Sequence, residues 1–139
     1  MKILFAVDGS DYTRRALDYL ATHDWLRPGN QLSVFTAVLP VPHRAAALAG
    51  PNLTHLYYDD DAEQVLRPIR ERLAACKAEV DYGHVVGRSA EAIVHKAVSE
   101  NFELIVMGSH GHGALASVVL GSVATRVLAS CRTPVLLIR

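Results

Sequence analysis

From Leu104 to Thr125 the chain reads LIVMGSHGHGALASVVLGSVAT, and this stretch limits what the whole can fold into. Four apolar residues, Leu104 to Met107, open it. Gly108, Gly111 and Gly113 follow, and later Gly121-Ser122 begins a helical pattern. The order is that of a strand, a glycine-rich loop and a helix N-terminus. Such a loop can turn successive N–H groups toward one point, because glycine tolerates positive φ and has no Cβ to block an anion. Gly108 and Gly111 are expected to hold backbone angles that other residues adopt at a cost of about 1 kcal/mol or more. The helix start adds unpaired donors and a partial positive charge. Together they suggest a phosphate cradle.

Two common glycine fingerprints can be tried on it. Gly111-x-Gly113-x-x-Ala116 fits the loose dinucleotide form. That form belongs on a first strand–helix turn, with an acidic residue about 20 positions on. Here the glycines follow a late strand, and Ser130 to Arg139 holds no acid. The P-loop pattern is absent, because no Gly-Lys-Ser/Thr occurs.

The rest of the chain alternates strand and helix. Ile3 to Val7 is an unbroken apolar run, as in a central parallel strand. Asp8-Gly9-Ser10 turns into a helix with Ala16, Leu17, Leu20 and Ala21 on one face, capped by Ser10 or Asp11. Gln31 to Leu39, Val80 to Val86, Glu103 to Met107 and Val135 to Ile138 read as further strands. Ser89 is placed to cap a helix with Ala90, Ile93, Val94, Ala97 and Val98 on one stripe. Ser122 to Cys131 is the last helix, stopped by Thr133-Pro134. Pro40 to Asn52, with three prolines, reads as a loop that has room for one short helical turn. Asp59 to Asp61 should start a helix running to about Ala78, their charges complementing its dipole, with Pro68 kinking it. This pattern gives one α/β domain over 1–139, a five-stranded parallel open sheet with helices on both faces.

Composition removes some function classes. Fourteen basic and fourteen acidic residues cancel, which leaves no electrostatic case for nucleic acid. No apolar run reaches the ~18 residues of a membrane span. Met1-Lys2 leads into a strand rather than a signal peptide, and Cys76 and Cys131 read as reduced thiols, so a cytoplasmic protein is expected. His110-x-His112 offers two zinc ligands, which is too few for a site. Gly-x-Ser-x-Gly is missing around Ser109, and no arginine finger or positioned base for phosphoryl transfer is visible.

Gly108-x-x-Gly111, nine residues, then Gly121-Ser122 resembles the nucleotide-binding signature of the universal stress protein family. KILFAVDGS (Lys2 to Ser10) is similar to that family's first strand and turn, and GSVATRVLASCRTPVLLIR to its last helix and strand. The likeness spans the chain except roughly Pro40 to Tyr58. It implies strand order 3-2-1-4-5, a Rossmann-like fold and binding of ATP or another adenine nucleotide. It implies that backbone N–H groups of Gly108, Gly111, His112 and Gly121 hold phosphate oxygens, with the Ser122 hydroxyl as a further anchor. Asp8 would accept from ribose hydroxyls or hold a nucleotide-bound Mg2+. Val38, ending strand two, would contact adenine through its backbone. The resemblance also implies a homodimer through antiparallel pairing of strand 134–139, an apolar edge with nothing later in the chain to cover it. The chain departs from the family where many members carry a basic residue, at His112 and near Ser117. Three functions stand open: a nucleotide-binding stress-response regulator, a dimeric interaction module with an empty site, and a slow ATP-hydrolysing enzyme.

Overall fold

A computed structural model describes residues 1–113 and 117–139. The elements are β1 (Lys2–Ala6), α1 (Asp11–Thr22), β2 (Gln31–Val38), α2 (His43–Ala49) and α3 (Pro51–Leu73). They continue with β3 (Glu79–Val86), α4 (Ser89–Ser99), β4 (Leu104–Gly108), α5 (Ser122–Ser130) and β5 (Val135–Ile138). All five strands pair in parallel, in the order β3-β2-β1-β4-β5. This is the sheet that the alternation and the resemblance imply.

The period of two along β1 divides the core into two layers. Ile3, Phe5 and Val7 face α1 and α3, where Leu17, Leu20, Leu66 and Ile69 are buried. Leu4 and Ala6 face the other way, toward Ile93, Ala97, Ala124 and Val127 of α4 and α5. Burying such a side chain is worth about 1.5–3 kcal/mol. Both faces of β1 are therefore covered, which is why its sequence shows no polar alternation.

The segment Pro40 to Asn52 is more helical than a loop with one short helical turn. Ala45 to Ala47 lie in α2, and Asn52 already belongs to α3. The prolines bound helices here instead of preventing them. Pro42 is the N-cap of α2. Pro51 opens α3, where its missing N–H would lack a partner in any case. Between them Gly50 turns the chain at φ +83°, its N–H donating to Ala46 O at 3.0 Å.

Asp59 to Asp61 consequently lie inside α3, where they cannot complement its N-terminal dipole. Asp59 sits between two imidazoles instead, His84 Nε2 at 3.3 Å and His55 Nε2 at 3.8 Å. The helix runs on past Pro68 and ends at Leu73, short of Ala78. Ser10 caps α1 as expected, accepting from Thr13 N at 3.4 Å. Ser89 does not cap α4; Arg88 holds that place, with no side-chain cap bond. Cys76 and Cys131 are free. Among the described residues, no helix is long and apolar enough to cross a membrane.

Candidate functional site

Strands β1 and β4 are neighbours, but their chains leave in opposite directions. β1 feeds α1 on one face and β4 feeds α5 on the other. A crevice opens where they part, beyond the carboxyl ends of the strands, the usual ligand position in such sheets. It is a cavity of about 470 Å³, within the range of small-molecule sites. Asp8, Gly108, Gly111, His112, Gly121 and Ser122 all line it, together with His110.

Asp8 is held by its own turn. Its Oδ1 accepts from Ser10 N at 2.9 Å and from the Thr13 hydroxyl at 2.8 Å. The Asp8 N–H donates back to Thr13 Oγ1 at 3.1 Å. These bonds fall on Oδ1, so Oδ2 is left facing Gly111, where an added Cβ would stand 2.8 Å from it. One carboxylate oxygen is thus fixed in place and the other is presented to the crevice.

The glycines act through space more than through backbone angle. Gly9, Gly29, Gly50 and Gly113 have positive φ; Gly108 and Gly111 do not, which corrects the expectation for them. Gly108 is needed because α1 passes close by. A Cβ there would lie 2.5 Å from Tyr12 Cβ. Gly121 has an ordinary extended conformation, φ −68° and ψ 160°. A Cβ there would meet His110 Cα at 3.0 Å and Ser109 O at 3.1 Å. Its N–H donates to Ser109 O at 2.8 Å, so it is not free for a phosphate, a second correction. The first helical bond of α5 runs from Thr125 N to Gly121 O, which leaves the N–H groups of Ser122, Val123 and Ala124 without an intrahelical acceptor.

Two histidines shape the loop. His110 Nε2 donates to Val118 O at 2.7 Å, and its Nδ1 lies 2.9 Å from the buried Ser109 hydroxyl. A carbonyl only accepts, so in the neutral ring Nδ1 accepts the Ser109 proton. The ring also packs against Tyr12, centroids 5.0 Å apart. His110 thereby ties the start of the loop to Val118 and to α1. His112 Nε2 donates to Asp8 O at 2.7 Å, joining the two loops across the crevice. Both imidazoles spend Nε2 on backbone carbonyls, which argues against a shared zinc.

Val38 is not brought to the cavity. Its side chain is buried in the core beneath α1 and α3, and its carbonyl accepts from Gly87 N at 2.9 Å. Its neighbour Ala37 and Phe35, on the opposite face of β2, line the wall instead. With Ile93 and Met107 they make an apolar part of the lining. Ala116, the last position of the loose dinucleotide form, lies outside the described residues. Sequence reading missed His110 as a latch and Thr13 as the clamp on Asp8; the five-residue spacing from Asp8 to Thr13 was the available signal.

A crevice at this switch point, with a glycine loop on one wall and an open helix start behind it, agrees with a match to known proteins. A sequence model of the universal stress protein family covers residues 1–139. The chain belongs to the universal stress protein family. It is similar to the universal stress protein in the QAH/OAS sulfhydrylase 3′ region of Thermus aquaticus, 36% identical over 146 residues, covering 99% of this chain and 97% of that protein. Other relatives are longer, the chain spanning 42% of one of them. The fold is similar to universal stress protein UspA from Lactobacillus plantarum, with a TM-score of 0.81 at 24% identity over 100% of this chain and 97% of that one. The universal stress protein from Archaeoglobus fulgidus, solved in complex with dAMP, matches with a TM-score of 0.65 at 25% identity over 100% of this chain and 98% of that one.

Proposed function

We propose that this universal stress protein binds an adenine nucleotide at the β1/β4 crevice and acts as a regulatory protein rather than an efficient catalyst. The observation that carries it is convergence: Asp8 Oδ2, the Gly111 turn and the open N-terminus of α5 all border one cavity that is also lined by apolar side chains. The dAMP complex of the Archaeoglobus fulgidus relative supports the ligand class. Phosphate oxygens would take the N–H groups of Gly111, His112, Ser122 and Val123. The base would lie against Phe35, Ile93 and Met107. Asp8 Oδ2 would accept from a ribose hydroxyl, or ligate Mg2+ when the ligand is Mg-ATP. Extracting the purified protein and running the extract on ion-pair chromatography tests this: an adenine nucleotide should be recovered.

Ser122→Ala is expected to weaken binding by about 0.5–1.5 kcal/mol, because one neutral hydrogen bond is lost while backbone donors remain. Calorimetry of the variant against wild type measures the difference.

His112 gives a pH dependence. A bound phosphate favours the protonated imidazole, which keeps its bond to Asp8 O and adds charge. Turning a neutral contact into a charge-assisted one is worth about 1 kcal/mol, roughly fivefold in affinity. Binding should therefore be tighter to the imidazolium than to the neutral ring. As pH falls, the phosphate's own proton uptake near pH 6 opposes this gain. The readout is consequently the difference between wild type and His112→Gln, whose profile should lack the histidine component; superimposable profiles would contradict the role.

For assembly, the proposal is a homodimer through the edge strand β5. Its four side chains, Val135 to Ile138, are all only half-buried, and an apolar edge invites pairing. Sedimentation at tens of micromolar (a rough choice for weak pairing) should show a dimer. Leu137→Lys should shift it to monomer, with circular dichroism confirming that the sheet persists. A monomeric wild type would contradict the proposal.

A further inference from the structure

Over its described residues the cavity wall carries no fixed positive charge. Among the described residues that line it, none is a lysine or arginine. The loop from Ser109 to Leu120 contains neither residue type at any position. The formal charge on the wall is the Asp8 carboxylate, which turns Oδ2 toward Gly111. His110 and His112 supply charge only when protonated. Arg88 precedes the lining residue Ser89, but its guanidinium lies 3.5 Å from Glu91. What remains for a phosphate is a set of neutral N–H donors and the partial charge of the α5 N-terminus, about half a unit, which fades within one turn.

From this we infer that the site ranks adenine nucleotides by phosphate charge, favouring a monophosphate over a metal-free triphosphate. The inference rests on the nucleotide reading above and sharpens its ligand class. A terminal phosphate monoester carries about −1.5 to −2 at pH 7. One such group can be met by the loop and helix donors. Each added phosphate brings further negative charge, repelled by Asp8 and loosely compensated by neutral donors. Removing that charge from water has a desolvation cost that a cation would otherwise offset. Mg2+ on the triphosphate would restore part of the balance, with Asp8 Oδ2 available to it.

Calorimetric titration at pH 7.5 with AMP, ADP, ATP plus chelator, ATP plus Mg2+, and adenosine tests the ranking. AMP is expected to bind about tenfold tighter than metal-free ATP, a gap of about 1.4 kcal/mol. ADP should lie between, and Mg2+ should narrow the gap. His112→Lys, which puts a fixed cation on the wall, should tighten metal-free ATP more than AMP; circular dichroism verifies its fold. Metal-free ATP binding wild type as tightly as AMP, or tighter, would overturn the inference. If AMP, ATP and adenosine all fail to bind, the nucleotide reading itself falls, and the ranking falls with it.

Discussion

Gly121→Val is expected to abolish adenine-nucleotide binding, with a loss of at least about 100-fold, or about 2.7 kcal/mol. The backbone angles at Gly121 suit valine, so the effect comes from crowding. The new Cβ would meet His110 Cα at 3.0 Å and Ser109 O at 3.1 Å. Both are main-chain atoms and cannot swing aside as a long side chain can. The strand-to-loop segment must shift, and the Gly121 N–H bond to Ser109 O shifts with it. That segment carries Gly111 and His112, two of the proposed donors, while valine's methyl groups occupy space beside the cavity. The sheet should survive, since overpacking of this kind typically costs about 1–3 kcal/mol. Calorimetry for affinity, paired with thermal unfolding, separates the two effects. If the variant binds as well as wild type, the phosphates have been placed wrongly.

Gly108→Ala should act on stability instead. Its Cβ would fall 2.5 Å from Tyr12 Cβ and 3.1 Å from the Tyr12 carbonyl carbon. Tyr12 is in the first turn of α1, so the helix itself must move away from β4. The expected loss is about 3 kcal/mol, the upper end of the overpacking range. Thr13 follows Tyr12 and clamps Asp8, so the displacement should weaken nucleotide binding as well. Urea unfolding measures the first effect. A change within about 0.5 kcal/mol would show that α1 yields without cost, and that Gly108 is not required for its approach.

These two glycines show what a sequence conceals. In the motif they look equivalent, although unusual backbone angles were expected for Gly108 and lost space for a phosphate at Gly121. The structure gives each a neighbour: α1 for Gly108, the preceding loop for Gly121. The contact at Gly108 joins residues nearly a hundred positions apart, and local pattern carries no information about it. β1, β4 and β5 were legible because each is close to a continuous apolar run, β2 and β3 because apolar residues recur through them, and Asp8 because it follows the first run. Strand order needed the family resemblance, since alternation alone allows other orders.

Val38 itself does not line the cavity. In a strand a single step turns a side chain to the opposite face, and Ala37 lines the cavity instead. Pro40 to Asn52 was read as a loop with at most one short helical turn because prolines were counted without regard to position. Pro42 and Pro51 stand at helix starts, where proline is tolerated. Asp59 to Asp61 were then assigned to a helix start that lies at Pro51.

The most direct test is a titration of the 15N-labelled protein with AMP, followed through its backbone amide resonances. Saturable shifts are expected at Gly111, His112, Ser122 and Val123, with smaller ones at Phe35 and Met107, while α2 and the first turns of α3 stay unmoved. No shifts at millimolar AMP, or shifts centred on α2 and α3, would contradict the placement of a nucleotide in the β1/β4 crevice.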